Sequence, residues 1–178
     1  MIMMKKLIPL LVIISVLFAG CKGDDGAPGA DGVNVVGTTF EAENVNFTAA
    51  NNYTYTIRFS DVKNLKVLES DAVLVYILWE VNGSSPIWRL LPQEISTNVR
   101  YNFDYSPVDF SAFIDADDPN FNFGSLNSAV TTNQTLRVVV IPSDFNARKS
   151  SGVDFNNYEA VKAYYHIDES KIIKYIAK

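Results

Sequence analysis

The chain has 178 residues, of which 48% are hydrophobic and 20% charged, with one cysteine and a formal net charge of −5. This length and composition fit a single soluble core with short additions and exclude a multidomain protein. Residues 1–20 contain two lysines and no acid, so the rest of the chain carries a net charge of −7. That acidic excess argues against nucleic acid, whose binding depends on Lys and Arg at phosphates, and against a face for anionic lipids.

Residues 1–20 are predicted to be a lipoprotein signal peptide. Lys5 and Lys6 form a positive n-region, and the apolar run 7–19 has the length of a signal-peptide core, too short for a comfortable bilayer span. The sequence Leu17-Phe18-Ala19-Gly20-Cys21 follows, and it resembles the bacterial lipobox, whose cysteine is diacylated and becomes the first mature residue. The alternative is an ordinary signal peptide followed by a chance cysteine.

Cys21 is therefore the predicted lipidation site. It is the only cysteine, so it has no partner for an internal disulfide, and the secreted domain depends on its core alone. Acyl chains on Cys21 would anchor the protein to a membrane without spanning it, because each buried methylene contributes about 0.8 kcal/mol.

Residues 21–34 are predicted to be the lipidated cysteine and a tether. Four of the nine glycines, at 23, 26, 29 and 32, recur at period three, which resembles the collagen repeat, in which only Gly fits the crowded axis. Four triplets are too few to hold a triple helix, which favours an extended spacer of roughly 37 Å at about 3.1 Å per residue. The alternative is a remnant that helps three chains to register.

The export signals carry a family resemblance. Lys22 with Asp24 and Asp25 is similar to the charged export tag of Bacteroidota surface lipoproteins. The lipobox, this tag, the brief Gly-x-y tract and a Tyr/Phe-rich domain together resemble small uncharacterised Bacteroidota lipoproteins. The resemblance covers residues 1–34 and implies an outer-membrane, cell-surface location, but no activity.

Residues 35–178 are predicted to form an all-β antiparallel sandwich, immunoglobulin-like or jelly-roll, with one short C-terminal helix. Residues 53–59 and 99–105 alternate apolar and polar side chains as half-buried strands do, with Tyr53, Tyr55, Ile57 and Phe59 pointing inward. Residues 72–81 are apolar on both faces until Glu80, which predicts a central strand covered on both sides. Further strands are predicted at 86–91, 108–114 and 136–141, with weaker candidates at 35–40 and 171–176.

Two local signals refine this architecture. Asn82-Gly83 predicts a turn, and the four residues 82–85 favour a longer hairpin loop over a two-residue one. Asn156, with Glu159 three residues later, predicts a helix start before apolar residues at helical spacing, which are Tyr158, Val161 and Tyr165.

No residue cluster predicts catalysis, a cofactor or a metal. His166 is the only histidine and is interpreted as a surface or capping residue; without a second thiol, Cys/His zinc sites and redox motifs are excluded. No G-x-S-x-G or G-x-G-x-x-G motif occurs where a hydrolase or dinucleotide fold needs one. Residues 115–124 hold clustered Asp and Asn, but the EF-hand pattern fails, so a solvated loop with Asx turns is favoured over a calcium site.

The leading hypothesis is a non-catalytic surface lipoprotein that binds an extracellular macromolecule or contributes to the envelope. The alternative is a glycan-binding protein, or a glycan-cleaving one that uses paired carboxylates. The two tryptophans bear on this choice: we expect Trp79 in the core and Trp88 buried, whereas an exposed Trp88 ring would favour glycan capture. A monomer is expected.

Replacing Cys21 tests the lipobox. In Cys21→Ala, we expect the precursor to stay uncleaved after Gly20 and unlabelled by radioactive fatty acid, because the acylated thiol is missing. Normal processing and acylation of this variant would contradict the lipobox interpretation.

Overall fold

The computed structural model describes residues 38–143 and 152–177, all of which belong to one compact unit. The predicted signal peptide, Cys21 and the tether lie outside these residues. The strands are β1 (Thr38–Val45), β2 (Thr54–Arg58), β3 (Ala72–Asn82), β4 (Ser85–Leu90), β5 (Gln93–Ser96), β6 (Val99–Tyr105), β7 (Asp109–Ala116), β8 (Gln134–Ile141) and β9 (Ile173–Ile176). The helices are α1 (Ser128–Thr131) and α2 (Tyr158–Tyr164), and short 3₁₀ turns occupy Ala49–Asn51, Phe59–Asp61, Phe123–Ser125 and Glu169–Lys171.

The strands form two sheets that pack as an all-β sandwich with a short C-terminal helix, as the sequence predicts. The strand order is β4-β3-β8-β1-β9 in one sheet and β2-β7-β6-β5 in the other. Strands β1 and β8 pair antiparallel, as do β2 and β7, whereas hairpins connect β3 to β4 and β5 through β7. Strand β9 joins β1 in parallel, a pairing that the antiparallel prediction did not include.

The inner faces of the two sheets share one hydrophobic core. Phe40 of β1 and Phe110 of β7 are fully buried and meet edge to face, with ring centroids 5.9 Å apart. The residues predicted to point inward at 53–59 all contribute, Ile57 and Phe59 as buried side chains and the two tyrosines as partly buried ones. Such burial contributes about 25 cal/mol for each Å² of apolar surface removed from water.

The outer face of the five-stranded sheet carries a second, smaller core. Tyr76 of β3 and Val139 of β8 are fully buried beneath the α2 segment. Strand β3 therefore has apolar contacts on both faces, and the prediction of a covered central strand is confirmed. The residues predicted at helical spacing provide the covering contacts: Tyr158, Val161 and Tyr165.

Two connections differ from their predictions. Strands β3 and β4 pair as far as Asn82 and Ser85, which leaves a two-residue hairpin loop, so the longer loop is wrong. Gly83 occupies this loop with φ +63°, a conformation that glycine adopts without steric cost. Helix α2 is capped by Asn157 and not by Asn156, because the Asn157 Oδ1 accepts the Ala160 N–H at 3.2 Å.

Two short elements were not predicted. Strand β5 has four residues and α1 has one helical turn. Both elements are too short for their apolar residues to show a recognisable periodicity. Across 38–143 and 152–177, no helix combines the length and the apolar character that a bilayer crossing requires.

Candidate binding groove

A buried ion pair organises the outer face of the five-stranded sheet. Glu41 of β1 lies opposite Arg137 of β8, and their side chains are only 4% and 7% exposed. Arg137 Nε donates to Glu41 Oε1 at 2.9 Å, and Arg137 Nη1 donates to Glu169 Oε1 at 2.8 Å. Lys174 of β9 also pairs with Glu41. Three regions that are distant in sequence, at residues 41, 137 and 169–174, are thus joined by charge-assisted hydrogen bonds, which are the stronger class.

The Arg137 guanidinium also contacts two aromatic rings. It lies 3.9 Å from the Trp88 ring centroid and 4.5 Å from that of Tyr158, so β4 and α2 are both held to β8. Burial raises the pKa of Tyr158 to about 12, although the Arg137 charge acts in the opposite direction, and the phenol stays neutral at physiological pH. Tyr76 of β3 also binds the segment before α2, because its hydroxyl donates to the Phe155 carbonyl at 2.7 Å.

These contacts position an open groove between β4 and the start of α2. It has a volume of about 360 Å³, within the range of ligand pockets. One wall is apolar and comes from β4, and the other carries the carboxylates and amides that precede and begin α2. The groove is lined by Pro86, Ile87, Trp88, Asp154, Asn156, Asn157, Tyr158 and Glu159.

The polar groups of the groove are oriented by local hydrogen bonds. Asp154 Oδ1 accepts the Asn156 N–H at 3.0 Å and its Nδ2 at 3.2 Å. Glu159 has a side chain that is 69% exposed and pairs with Lys162 at 2.5 Å. The groove therefore presents ordered carboxylate and amide oxygens, which accept hydrogen bonds, beside an aromatic surface.

The two tryptophans occupy different environments from each other. Trp79 packs against the sandwich core, as expected, but it is only partly buried, and the Arg89 guanidinium lies 4.1 Å from its ring centroid. Trp88 is also only partly buried, because its ring forms part of one wall of the open groove, so the expectation of a buried Trp88 holds in part. Among the described residues, its Nε1 has no hydrogen-bond partner, and its contribution is packing and cation–π contact.

The other residues singled out from the sequence lie outside the groove. His166 is exposed and borders a separate depression with Thr39 and Lys171. Asp115 lies in β7, so the predicted loop begins two residues later, and Asp115 and Asp117 both pair with Arg100. Asp118 and Asn122 form the expected Asx turns with backbone N–H groups. In the described part of the chain, no three His, Cys, Asp or Glu side chains are grouped to hold a metal ion.

Sequence reasoning missed the ion pair that supports the groove. Glu41 and Arg137 are 96 residues apart, and only the fold places them on facing positions of β1 and β8. The available signal was Arg137 within the apolar run 136–141, because a charge in a buried strand needs a partner.

Removing the guanidinium tests this support. In Arg137→Met, we expect the free energy of unfolding to fall by about 3 kcal/mol, because Glu41 then lies buried with only Lys174 beside it. Denaturant unfolding measures the change. Arg89→Met, at an exposed cation–π contact, is the matched control and should cost about 0.5–1 kcal/mol. Equal losses in both variants would contradict the central role of Arg137.

Comparison with known proteins identifies no relative of this chain. No family model, curated protein or solved structure matches the chain. The basis for a function is therefore the groove, the fold that supports it and the export signals predicted for residues 1–34.

Proposed function

We propose that this protein is a non-catalytic binding module, displayed on the outer membrane from acyl chains on Cys21, and that its groove captures an extracellular glycan. The observation that carries the ligand class is the partly exposed Trp88 ring, supported by the buried Tyr158, beside amide and carboxylate groups in one groove. The lipobox and tether support the location. A groove at the cell surface would meet soluble or attached polysaccharide directly.

The chemistry of the groove suits sugar rings. A pyranose has apolar C–H faces that pack on aromatic rings, and its hydroxyls both donate and accept hydrogen bonds. Trp88 is held by Arg137 at 3.9 Å, so its ring is fixed before a ligand arrives, which lowers the entropy cost of binding. Asp154, Asn156 and Glu159 supply oxygens for the hydroxyls.

The charge of the groove favours neutral over acidic glycans. Its lining includes Asp154 and Glu159 but no basic side chain, and the nearby Lys162 is paired with Glu159 and Glu169. A uronate or sulfate would be repelled by these carboxylates, and it would have to displace an existing ion pair to reach a cation.

Binding is favoured over cleavage by the surroundings of the two carboxylates. A carboxylate-pair glycosidase needs one carboxyl group that keeps its proton, and burial in a dry site is the usual means. Glu159 is 69% exposed and ion-paired, whereas Asp154 accepts hydrogen bonds from Asn156. Neither environment is that of a general acid, so we propose a module that is not an enzyme and needs no cofactor.

A polysaccharide panel tests the groove. We expect the full-length protein in detergent to be retarded by at least one neutral polysaccharide in affinity electrophoresis. The double variant Asn156→Ala/Glu159→Ala should weaken that binding by about tenfold or more, since two hydrogen-bonding groups at about 1 kcal/mol each are lost.

The matched control removes the same two kinds of group from the other sheet. Asn102→Ala/Asp104→Ala on β6 should bind as the wild type does. Failure to bind any glycan, or equal binding by both double variants, would contradict glycan capture and favour an envelope-structural role. Glycan turnover that depends on one acidic residue would contradict the non-catalytic proposal.

A further inference from the structure

A second cavity, partly open to solvent, lies between the two sheets and shares no lining residue with the groove. It has a volume of about 160 Å³ and opens where β3 faces β5 and β6 at one end of the core. Besides these strands, the short helix α1 and the first residue of β8 also line the cavity. The lining residues are Ile77, Leu78, Trp79, Ile95, Tyr101, Ala129, Val130 and Gln134. We call this space the end cavity.

The end cavity is continuous with the hydrophobic core. Ile77 and Tyr101 are 1% and 3% exposed, and Trp79, Ile95 and Val130 pack against the core as partly buried side chains. Its walls are therefore fixed by the packing of both sheets. An apolar cavity of about 150 Å³ inside a protein is large enough to bind benzene, so the end cavity, which is partly open and carries both polar and apolar surface, matches a single aromatic ring in size.

One hydrogen-bonding side chain, Gln134, would orient a ligand in the cavity. The Tyr101 hydroxyl donates its single proton to the Val130 carbonyl at 2.5 Å. Gln134 Nε2 donates to the carbonyls of Ala129 at 2.9 Å and Thr132 at 2.7 Å, which fixes the orientation of the amide. Its Oε1 lies 3.5 Å from the Tyr101 hydroxyl, a long contact because that proton already bonds to Val130, so the amide oxygen keeps a lone pair for a ligand.

We propose that the end cavity binds a small aromatic molecule that carries one O–H or N–H donor, such as a phenol or an indole. The ring would fill the space between Trp79, Ile95 and Val130, and the donor would bond to Gln134 Oε1. This site is independent of glycan capture, because it shares no lining residue with the groove.

Titration with phenol and with toluene tests this proposal. Binding is followed by NMR, from the chemical shifts of the indole N–H groups of the two tryptophans. We expect phenol to shift the Trp79 signal of the full-length protein in detergent saturably and to leave the Trp88 signal in place, with Trp88→Phe providing the assignment. Phenol should bind about fivefold more tightly than toluene, since one hydrogen bond contributes about 1 kcal/mol. In Gln134→Met, which lacks the acceptor, the two probes should bind equally.

A cavity-filling variant provides the control for nonspecific partition. Ala129 lies at the exposed rim, so Ala129→Leu should fill the mouth without unfolding the domain and weaken phenol binding by about tenfold or more. Ser128→Leu, on the same helix but outside the lining, should bind as wild type, and both variants experience the same partition into micelles. No saturable shift of Trp79 up to about 10 mM phenol, or equal binding by the two leucine variants, would overturn the proposal.

Discussion

The buried guanidinium of Arg137 is the constraint on which the outer face of the sandwich depends. Its burial costs free energy because the charge loses its hydration, and Glu41, which faces it across the β1–β8 ladder, offsets that cost. The same cation lies against Trp88 and Tyr158, so satisfying one buried charge also fixes the position of β4 and α2. Without that contact, the C-terminal segment would be held mainly by its smaller apolar core.

The two proposed sites follow from the two faces of the same sheet. On the outer face, the segment that covers β3 and β8 leaves a groove whose walls carry carboxylates, amides and aromatic rings, a surface for polar ligands. On the inner face, a partly open cavity at one end of the sandwich is lined by apolar side chains and by the Gln134 amide. Because Arg137 supports the groove and the main core supports the cavity, damage to one site should leave the other intact.

Periodicity made the sandwich predictable, whereas long-range pairing did not appear in the sequence. The alternation at residues 53–59 and the apolar run 72–81 indicated which faces are buried, because side chains alternate across a strand. The Glu41–Arg137 pair, the parallel β1–β9 ladder and the groove depend on strand order, which local pattern does not encode. Trp88 was hard to place for the same reason, since its partners come from β8 and α2.

A double-mutant cycle between Glu41 and Arg137 measures how strongly these two buried side chains depend on each other. Unfolding free energies of Glu41→Gln, Arg137→Met, the double variant and the wild type give the coupling between the two side chains. We expect the double variant to lose less stability than the two single variants together, by about 2 kcal/mol or more, because each single change leaves one buried charge without its main partner. Additive losses, within about 0.5 kcal/mol, would contradict the claim that this pair holds the outer face together.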